Sequence, residues 1–133
     1  MGKVGMAKIL VIEDNEQNLY LVTFLLEKQG HVVTQARSGE QGIAIAVTAL
    51  PDLILLDIQL PDLDGYAVAE SLRRSTSTAP IVAVTSYAMP GDRERALAAG
   101  CRGYIEKPID PATFLYEVTA YLGGGDDDDP RGG

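Results

Sequence analysis

The sequence contains a single cysteine, Cys101, among its 133 residues. One thiol cannot form an intramolecular disulfide, and it cannot supply the several cysteines of a structural zinc site. No apolar run approaches the roughly 18 residues that a membrane span needs, and the N-terminus lacks the apolar stretch of a secretory signal peptide. We therefore expect a cytoplasmic protein with no contact with the membrane.

Basic residues are also scarce, since 11 lysines and arginines stand against 19 acidic residues and the net charge is −8. Four aspartates and one arginine give residues 123–133 a charge of −3, which leaves −5 for the rest of the chain. An acidic body without a basic stripe argues against direct binding of nucleic acid. The length fits one domain. We expect an N-terminal extension over 1–6, a folded domain over 7–122 and a disordered acidic Gly/Asp tail over 123–133.

Five short apolar runs, each followed by a pattern of helical period, organise the rest of the chain. The predicted strands are Lys8–Ile12, His31–Ala36, Asp52–Asp57, Pro80–Val84 and Arg102–Ile105. The predicted helices cover 16–29, 39–50, 66–74 and 90–100, and a last helix begins at Pro111. Strands of nearly continuous Val, Ile and Leu that alternate with helices indicate a parallel sheet covered on both faces. The pattern predicts a doubly wound α/β fold.

Charged residues follow these apolar runs where the predicted strands end. Asp57 closes the third run, Glu13 and Asp14 follow the first, and Lys107 follows the last. A carboxylate at the end of a buried strand is costly unless it has a use. Ligands of parallel α/β sheets bind outside the carboxyl ends of the strands. Three carboxylates there suit Mg²⁺, and a lysine suits a phosphate oxygen.

Asp57 is the candidate nucleophile, because a carboxylate can attack phosphorus to give an aspartyl phosphate. Thr85 ends the fourth apolar stretch, where its hydroxyl can donate to the same phosphate. Each residue also has a plainer interpretation. Asp57 can cap a strand, Thr85 can bond local backbone, and Glu13-Asp14 can sit at a helix N-terminus. The combination, rather than any one residue, favours a phosphoryl and metal site.

Four short motifs coincide with these strand ends. They are Ile9–Asn15, Leu55–Pro61, Val84–Ser86 and Tyr104–Pro108. Together they resemble the receiver domain of two-component response regulators, over about residues 7–122. Asp14-Asn15, Ala88-Met89 and Gly100-Cys101 are similar to the stand-alone, DivK-like receivers and to receivers of hybrid kinases.

The resemblance implies a flavodoxin-like (βα)5 sheet of strand order 2-1-3-4-5. It implies that Asp57 accepts a phosphoryl group from a histidine kinase or a histidine phosphotransfer protein. Asp14, Asp57 and the backbone carbonyl of Gln59 would hold Mg²⁺ directly, with Mn²⁺ as a substitute. Glu13 would act on the metal through water.

The same resemblance implies a switch. Lys107, joined to Pro108 by a cis bond, and the Thr85 hydroxyl would contact the phosphoryl oxygens. Phosphate on Asp57 would draw Thr85 inward, and Tyr104 would turn in behind it. The face formed by helix four, strand five and helix five would then repack for a downstream protein.

Gln59 and Tyr87 lie two residues past Asp57 and Thr85, at positions that tune hydrolysis of the acyl phosphate in this family. Gln59 also weighs against a phosphatase of the haloacid-dehalogenase type, which needs a second acid there. A flavodoxin-like cofactor binder would need a phosphate-cradling loop where this chain has residues 13–16, Glu-Asp-Asn-Glu. We expect a single-domain response regulator that turns over no external substrate. The alternative is a receiver excised from a hybrid histidine kinase or a larger regulator.

Three other polar residues receive plainer interpretations. His31 opens the second predicted strand, away from the site, and is expected to be a surface or edge histidine. Asp62 and Asp64 lie in a segment of turn composition and are expected to be turn residues. Extra metal ligation by these two aspartates is the lesser expectation.

Overall fold

A computed structural model describes residues 7–75, 79–86 and 90–123. Its five parallel strands form one sheet in the order β2-β1-β3-β4-β5. The strands are β1 (Lys8–Ile12), β2 (Val32–Ala36), β3 (Leu53–Asp57), β4 (Ile81–Thr85) and β5 (Gly103–Glu106). The helices are α1 (Glu16–Lys28), α2 (Gly39–Ala49), α3 (Gly65–Ser75), α4 (Asp92–Ala98) and α5 (Pro111–Gly123). The predicted (βα)5 fold with strand order 2-1-3-4-5 is confirmed.

Both faces of the sheet are covered, as the continuous apolar runs predict. On one face Leu10 and Ile12 pack with buried residues of α2, α3 and α4. On the other face Ile9 and Val11 pack with α1 and α5. Because successive side chains of a strand point to opposite faces, a strand covered on both sides must be apolar throughout. All five residues of the central strand, Leu53–Asp57, are buried. Asp57 is therefore the one charged member of a strand with no solvent-facing side.

The element boundaries differ from the predicted ones by one or two residues. The largest difference is at α4, which was predicted from Pro90 and begins at Asp92. Gly91 precedes it with φ of +96°, a conformation that residues with a Cβ rarely adopt, so the helix begins only after this glycine. Gly100, with φ of +104°, follows the end of the helix as expected.

No helix within 7–75, 79–86 and 90–123 is long and apolar enough to cross a bilayer. The predicted extension over 1–6 lies outside the described residues, as do Tyr87, Ala88-Met89 and residues 124–133 of the predicted tail.

Candidate functional site

The carboxyl edge of the sheet brings the predicted site residues together. Glu13 and Asp14 follow β1, Asp57 ends β3, Thr85 ends β4, and Lys107 follows β5. Glu13, Asp57 and Thr85 are 4%, 3% and 4% exposed, whereas Asp14 is exposed. Parallel pairing of β1 with β3, β3 with β4 and β4 with β5 puts these strand ends side by side. The edge is therefore a cluster of buried charges with one open carboxylate.

Lys107 supplies the positive charge of this cluster. Its Nζ lies 3.1 Å from Glu13 Oε1 and 3.6 Å from Asp57 Oδ1. The backbone N–H of Lys107 donates to the Thr85 carbonyl at 2.8 Å, which extends the β4–β5 pairing to this residue. The Lys107–Pro108 bond is cis, as the family resemblance implies. Lys107, which follows β5, thus contacts the acidic side chains at the ends of both β1 and β3.

Three carboxylates surround a position that suits a cation. Glu13, Asp14 and Asp57 each offer an oxygen, and the three oxygens lie within 4.8 Å of one another. With Lys107 as the neighbouring cation, three negative charges minus one positive charge leave −2. That excess matches a divalent ion, and an all-oxygen donor set matches the preference of Mg²⁺. The exposed Asp14 leaves this position open to solvent, which suits an ion that retains part of its water shell.

Asp57 titrates unusually because of where it lies. Burial raises its pKa to about 6, and the negative charge of Glu13 acts in the same direction. The Gln59 N–H, which donates to Asp57 Oδ1 at 3.0 Å, and the charge of Lys107 lower the pKa and so limit this rise. The carboxylate is consequently ionised at neutral pH, yet more basic than an ordinary aspartate. Both properties suit a nucleophile.

Hydrogen bonds fix the orientation of the site groups. Glu13 accepts from the Asn15 N–H through Oε2 at 3.1 Å, so both of its oxygens are engaged once Lys107 is counted. The Gln59 side chain accepts from the Ser86 hydroxyl at 3.2 Å, a contact between the loops after β3 and β4. The sequence patterns did not indicate this contact, because the two residues are 27 positions apart.

Thr85 and Tyr104 lie on the same face of the sheet. Tyr104 pairs with Ala83 across the β4–β5 ladder, and Thr85 lies two residues after Ala83 on the same strand. Side chains two residues apart on a strand point to the same face of the sheet. Both residues therefore point toward the face covered by α2, α3 and α4. Tyr104 is half-buried against that core.

Asp62 makes hydrogen bonds that the sequence patterns did not indicate. It lies in the predicted turn between β3 and α3, but its carboxylate accepts hydrogen bonds from the backbone N–H groups of Gly39 and Glu40. Those partners are 23 and 22 residues away, so no local pattern could have revealed them. Asp64 behaves as a turn residue and accepts from the Tyr66 N–H at 3.1 Å. Neither aspartate belongs to the acidic cluster.

Sheet order and acidic edge together define the class of protein. The family model described as the response regulator receiver domain matches residues 9–119, and the chain belongs to this family. Among its relatives is the polar-differentiation response regulator DivK of Brucella ovis, 40% identical over 117 residues. That match covers 86% of this chain and 95% of the DivK chain. DivK of Brucella anthropi is 39% identical over the same shares.

Solved structures give the same result. The receiver domain of a sensor histidine kinase from Pseudomonas aeruginosa is 34% identical, with a TM-score of 0.82 over 90% of this chain and 99% of that chain. It carries a magnesium ion in its active site cleft. A CheY-like receiver domain from Methanospirillum hungatei is 28% identical, with a TM-score of 0.84 over 96% and 99%. The chain is thus a receiver domain of the two-component type, homologous to single-domain response regulators. Such domains accept phosphoryl groups and interact with histidine kinases, phosphotransfer proteins and downstream effectors.

Proposed function

We propose that this chain is a single-domain response regulator that accepts a phosphoryl group on Asp57. The observation that carries the proposal is a buried carboxylate set between two further acids and a lysine whose Nζ is 3.6 Å away. The donor is a phosphohistidine of a histidine kinase or a histidine phosphotransfer protein. Similarity to DivK over 95% of its length favours this assignment over a receiver excised from a hybrid kinase or a larger regulator.

The transfer is a displacement at phosphorus. An oxygen of the ionised Asp57 carboxylate forms the new bond, while the bond from phosphorus to the donor imidazole nitrogen breaks and its electron pair returns to the imidazole. The ammonium group of Lys107 stabilises the charge on the phosphoryl oxygens, a role supported by its Nζ lying 3.6 Å from Asp57 Oδ1. The Thr85 hydroxyl donates to another of these oxygens.

The acidic cluster holds Mg²⁺ in this proposal, with Mn²⁺ as a substitute. Asp14, Asp57 and the Gln59 carbonyl bind the ion directly, and Glu13 binds through water. The existing contacts of both Glu13 oxygens support its indirect role. When bound, the metal offsets repulsion between the carboxylates and the incoming phosphoryl group.

Phosphorylation then changes a surface. Thr85 moves toward the phosphoryl group, and Tyr104, on the same face of the sheet, moves in behind it. The affected surface is formed by α4, β5 and α5, where a downstream protein binds. A local charge therefore biases a two-state element.

The remaining assignments concern lifetime and context. Gln59 and Tyr87 tune the hydrolysis of the acyl phosphate, and the protein turns over no external substrate. The receiver domain extends over 7–122, between the N-terminal extension and the acidic tail. The protein acts in the cytoplasm in this proposal, and its net charge of −8 supports the binding of proteins rather than nucleic acid.

Chemical phosphorylation tests the acceptor. Incubation with acetyl phosphate and Mg²⁺ should add one base-labile phosphoryl group to the wild type and none to Asp57→Asn, as measured by intact-mass spectrometry. Asp52→Asn is the matched control, because Asp52 lies beyond the opposite end of the same strand. It should be labelled like the wild type. Equal labelling of Asp57→Asn would contradict the assignment.

Metal binding tests the cluster separately. Asp14→Ala removes a proposed direct ligand and should weaken Mg²⁺ binding by about tenfold or more in a calorimetric titration. An exposed side chain is removed, so folding should be little affected. An unchanged titration would show that Asp14 is not a ligand.

A further inference from the structure

The loop between β3 and α3 is attached to α2 through one side chain. Asp62 accepts from the Gly39 N–H at 2.9 Å through Oδ1 and from the Glu40 N–H at 3.1 Å through Oδ2. Gly39 and Glu40 are the first two residues of α2. The backbone N–H groups of these two residues have no acceptor inside the helix. The two amides hold the pKa of Asp62 below its usual range. An aspartate from a distant segment thus binds the amide groups at this helix end.

Close packing supports the same attachment. A Cβ on Gly39 would lie 3.1 Å from Leu63 Cδ1 and 2.8 Å from Val68 Cγ2. The absence of a side chain at Gly39 lets the loop and α3 approach the end of α2 this closely. The helix does not depend on Asp62 for all of its capping, because the Ser38 hydroxyl accepts from the Gln41 N–H at 3.1 Å.

The base of the loop is closed as well. Gly65 N–H donates to the Ile58 carbonyl at 3.1 Å, and Gln59 pairs with Asp64 in an antiparallel bridge. A Cβ on Gly65 would lie 2.4 Å from Ile58 Cα, so the backbone segments at the two ends of the loop are in close contact. Residues 58–65 therefore form a closed loop that is fixed at its base by Ile58 and Gly65 and at its tip by Asp62.

The loop also carries the groups next to Asp57. The Gln59 N–H donates to Asp57 Oδ1 at 3.0 Å, and the Gln59 carbonyl is a metal ligand in the proposed function. We infer that Asp62 is a positioning residue for the magnesium site: by binding the first two amides of α2, it holds the loop and the Gln59 carbonyl in place. The inference rests on the proposed function, because it needs Mg²⁺ to bind at Gln59.

Calorimetric titration with Mg²⁺ at 10 °C tests this inference on the full chain. Asp62→Ala should raise the Kd for Mg²⁺ by about tenfold, at the low end for groups that orient ligands without binding the metal. Asp62→Asn keeps one side-chain oxygen and should restore the Kd to within about threefold of the wild type, since one of the two hydrogen bonds survives. The phosphorylation rate of Asp62→Ala with acetyl phosphate should recover at saturating Mg²⁺, because the nucleophile itself is intact.

A matched control separates positioning from general stability. Asp52 Oδ2 accepts from the Lys8 N–H at 2.8 Å at the opposite edge of the sheet, so Asp52→Ala also removes an aspartate that binds backbone. It should leave the Kd for Mg²⁺ unchanged, and circular dichroism should show that both variants are folded at 10 °C. Equal Kd values of Asp62→Ala and Asp52→Ala for Mg²⁺ would overturn the positioning role of Asp62 and leave the proposed function standing. Failure of the wild type to bind Mg²⁺ would overturn it together with the proposed function.

Discussion

Polar side chains at the amino edge of the sheet bind backbone amides, whereas those at the carboxyl edge bind backbone amides and also contact one another. At the amino edge, the buried His31 accepts from the Ala7 N–H through Nδ1 at 3.3 Å, and Asp52 accepts from Lys8. At the carboxyl edge, the buried groups Glu13 and Asp57 share one lysine. The same sheet thus pairs side chains with backbone amides at one end and concentrates charged side chains at the other.

This difference shows where the fold gives up stability for function. A buried carboxylate that shares its cation with another acid is not fully compensated for the loss of water. A neutral imidazole that accepts one amide hydrogen bond carries no such charge. We therefore expect substitutions at the carboxyl edge to change stability strongly and in both directions. Substitutions at the amino edge should only weaken the fold.

The largest effect is expected from Lys107→Met, which removes the cation and keeps a side chain of similar length. Glu13 and Asp57 would then repel each other without compensation. The free energy of unfolding of the metal-free protein should fall by about 2–3 kcal/mol, which is at or below the lower limit for breaking a buried ion pair because the edge is close to water. Urea denaturation in the presence of EDTA measures it.

The control for this prediction is Lys8→Met at the amino edge. Lys8 is exposed, and its substitution should change the free energy of unfolding by less than about 0.5 kcal/mol. If the free energy of unfolding fell by the same amount in both lysine variants, the carboxyl edge would not be more sensitive to loss of a cation than the amino edge.

The second largest effect is an increase in the free energy of unfolding. The pKa of Asp57 is raised by burial from 3.8 to about 6, so the folded state binds the proton more tightly than the unfolded state. Stability is then lost as pH rises from about 4 through 6. Asp57→Asn cannot ionise, and without metal it should be more stable than the wild type by about 1–2 kcal/mol at pH 7, after a discount for water near the edge.

Urea denaturation in EDTA at several pH values measures the difference between wild type and Asp57→Asn. The difference in the free energy of unfolding should narrow as pH falls toward 4, where Asp57 is protonated in the folded protein and about half protonated in the unfolded protein. Asp52→Asn, at the other end of β3, should show no such gain at pH 7. A wild type that is more stable than Asp57→Asn at pH 7 would contradict the argument.

Much of this edge could be predicted from the sequence because its signals are local. Five apolar runs separated by helical patterns are sufficient for a parallel α/β sheet, and such a sheet brings the ends of its strands together. Asp57 and Lys107 could be placed at one edge for that reason alone. Boundaries were less predictable, since the start of α4 depends on the backbone conformation of Gly91.

Contacts between distant segments could not be predicted in the same way. His31 was expected at the surface or edge, and although it lies at the amino edge, it is 5% exposed. Its partner Ala7 is 24 residues away, and the partners of Asp62 are almost as distant. Such pairs depend on how closely two loops approach after the sheet has formed. Hydrophobic period carries no information about that distance.

The smallest effect is expected at the amino edge. Burial lowers the pKa of His31 from 6.5, so the unfolded state takes up the proton first as pH falls. The stability that neutral His31 contributes is full above about pH 6.5 and is lost as pH falls through its lowered pKa. A protonated Nδ1 would also face the Ala7 N–H as a second donor. His31→Gln should cost about 1 kcal/mol at pH 7.5, where the native hydrogen bond is intact.

This last measurement requires the Asp57→Asn background, because Asp57 titrates in the same pH range. With that background, the stability difference between the parent protein and its His31→Gln variant should shrink as pH falls from 7.5 to 5. A difference that stays constant would mean that His31 is not held neutral by the fold. His31→Gln in the otherwise wild-type protein should leave Mg²⁺ binding unchanged, since the histidine lies at the edge opposite Asp57. A linked change in metal affinity would show instead that the two edges of the sheet are not independent.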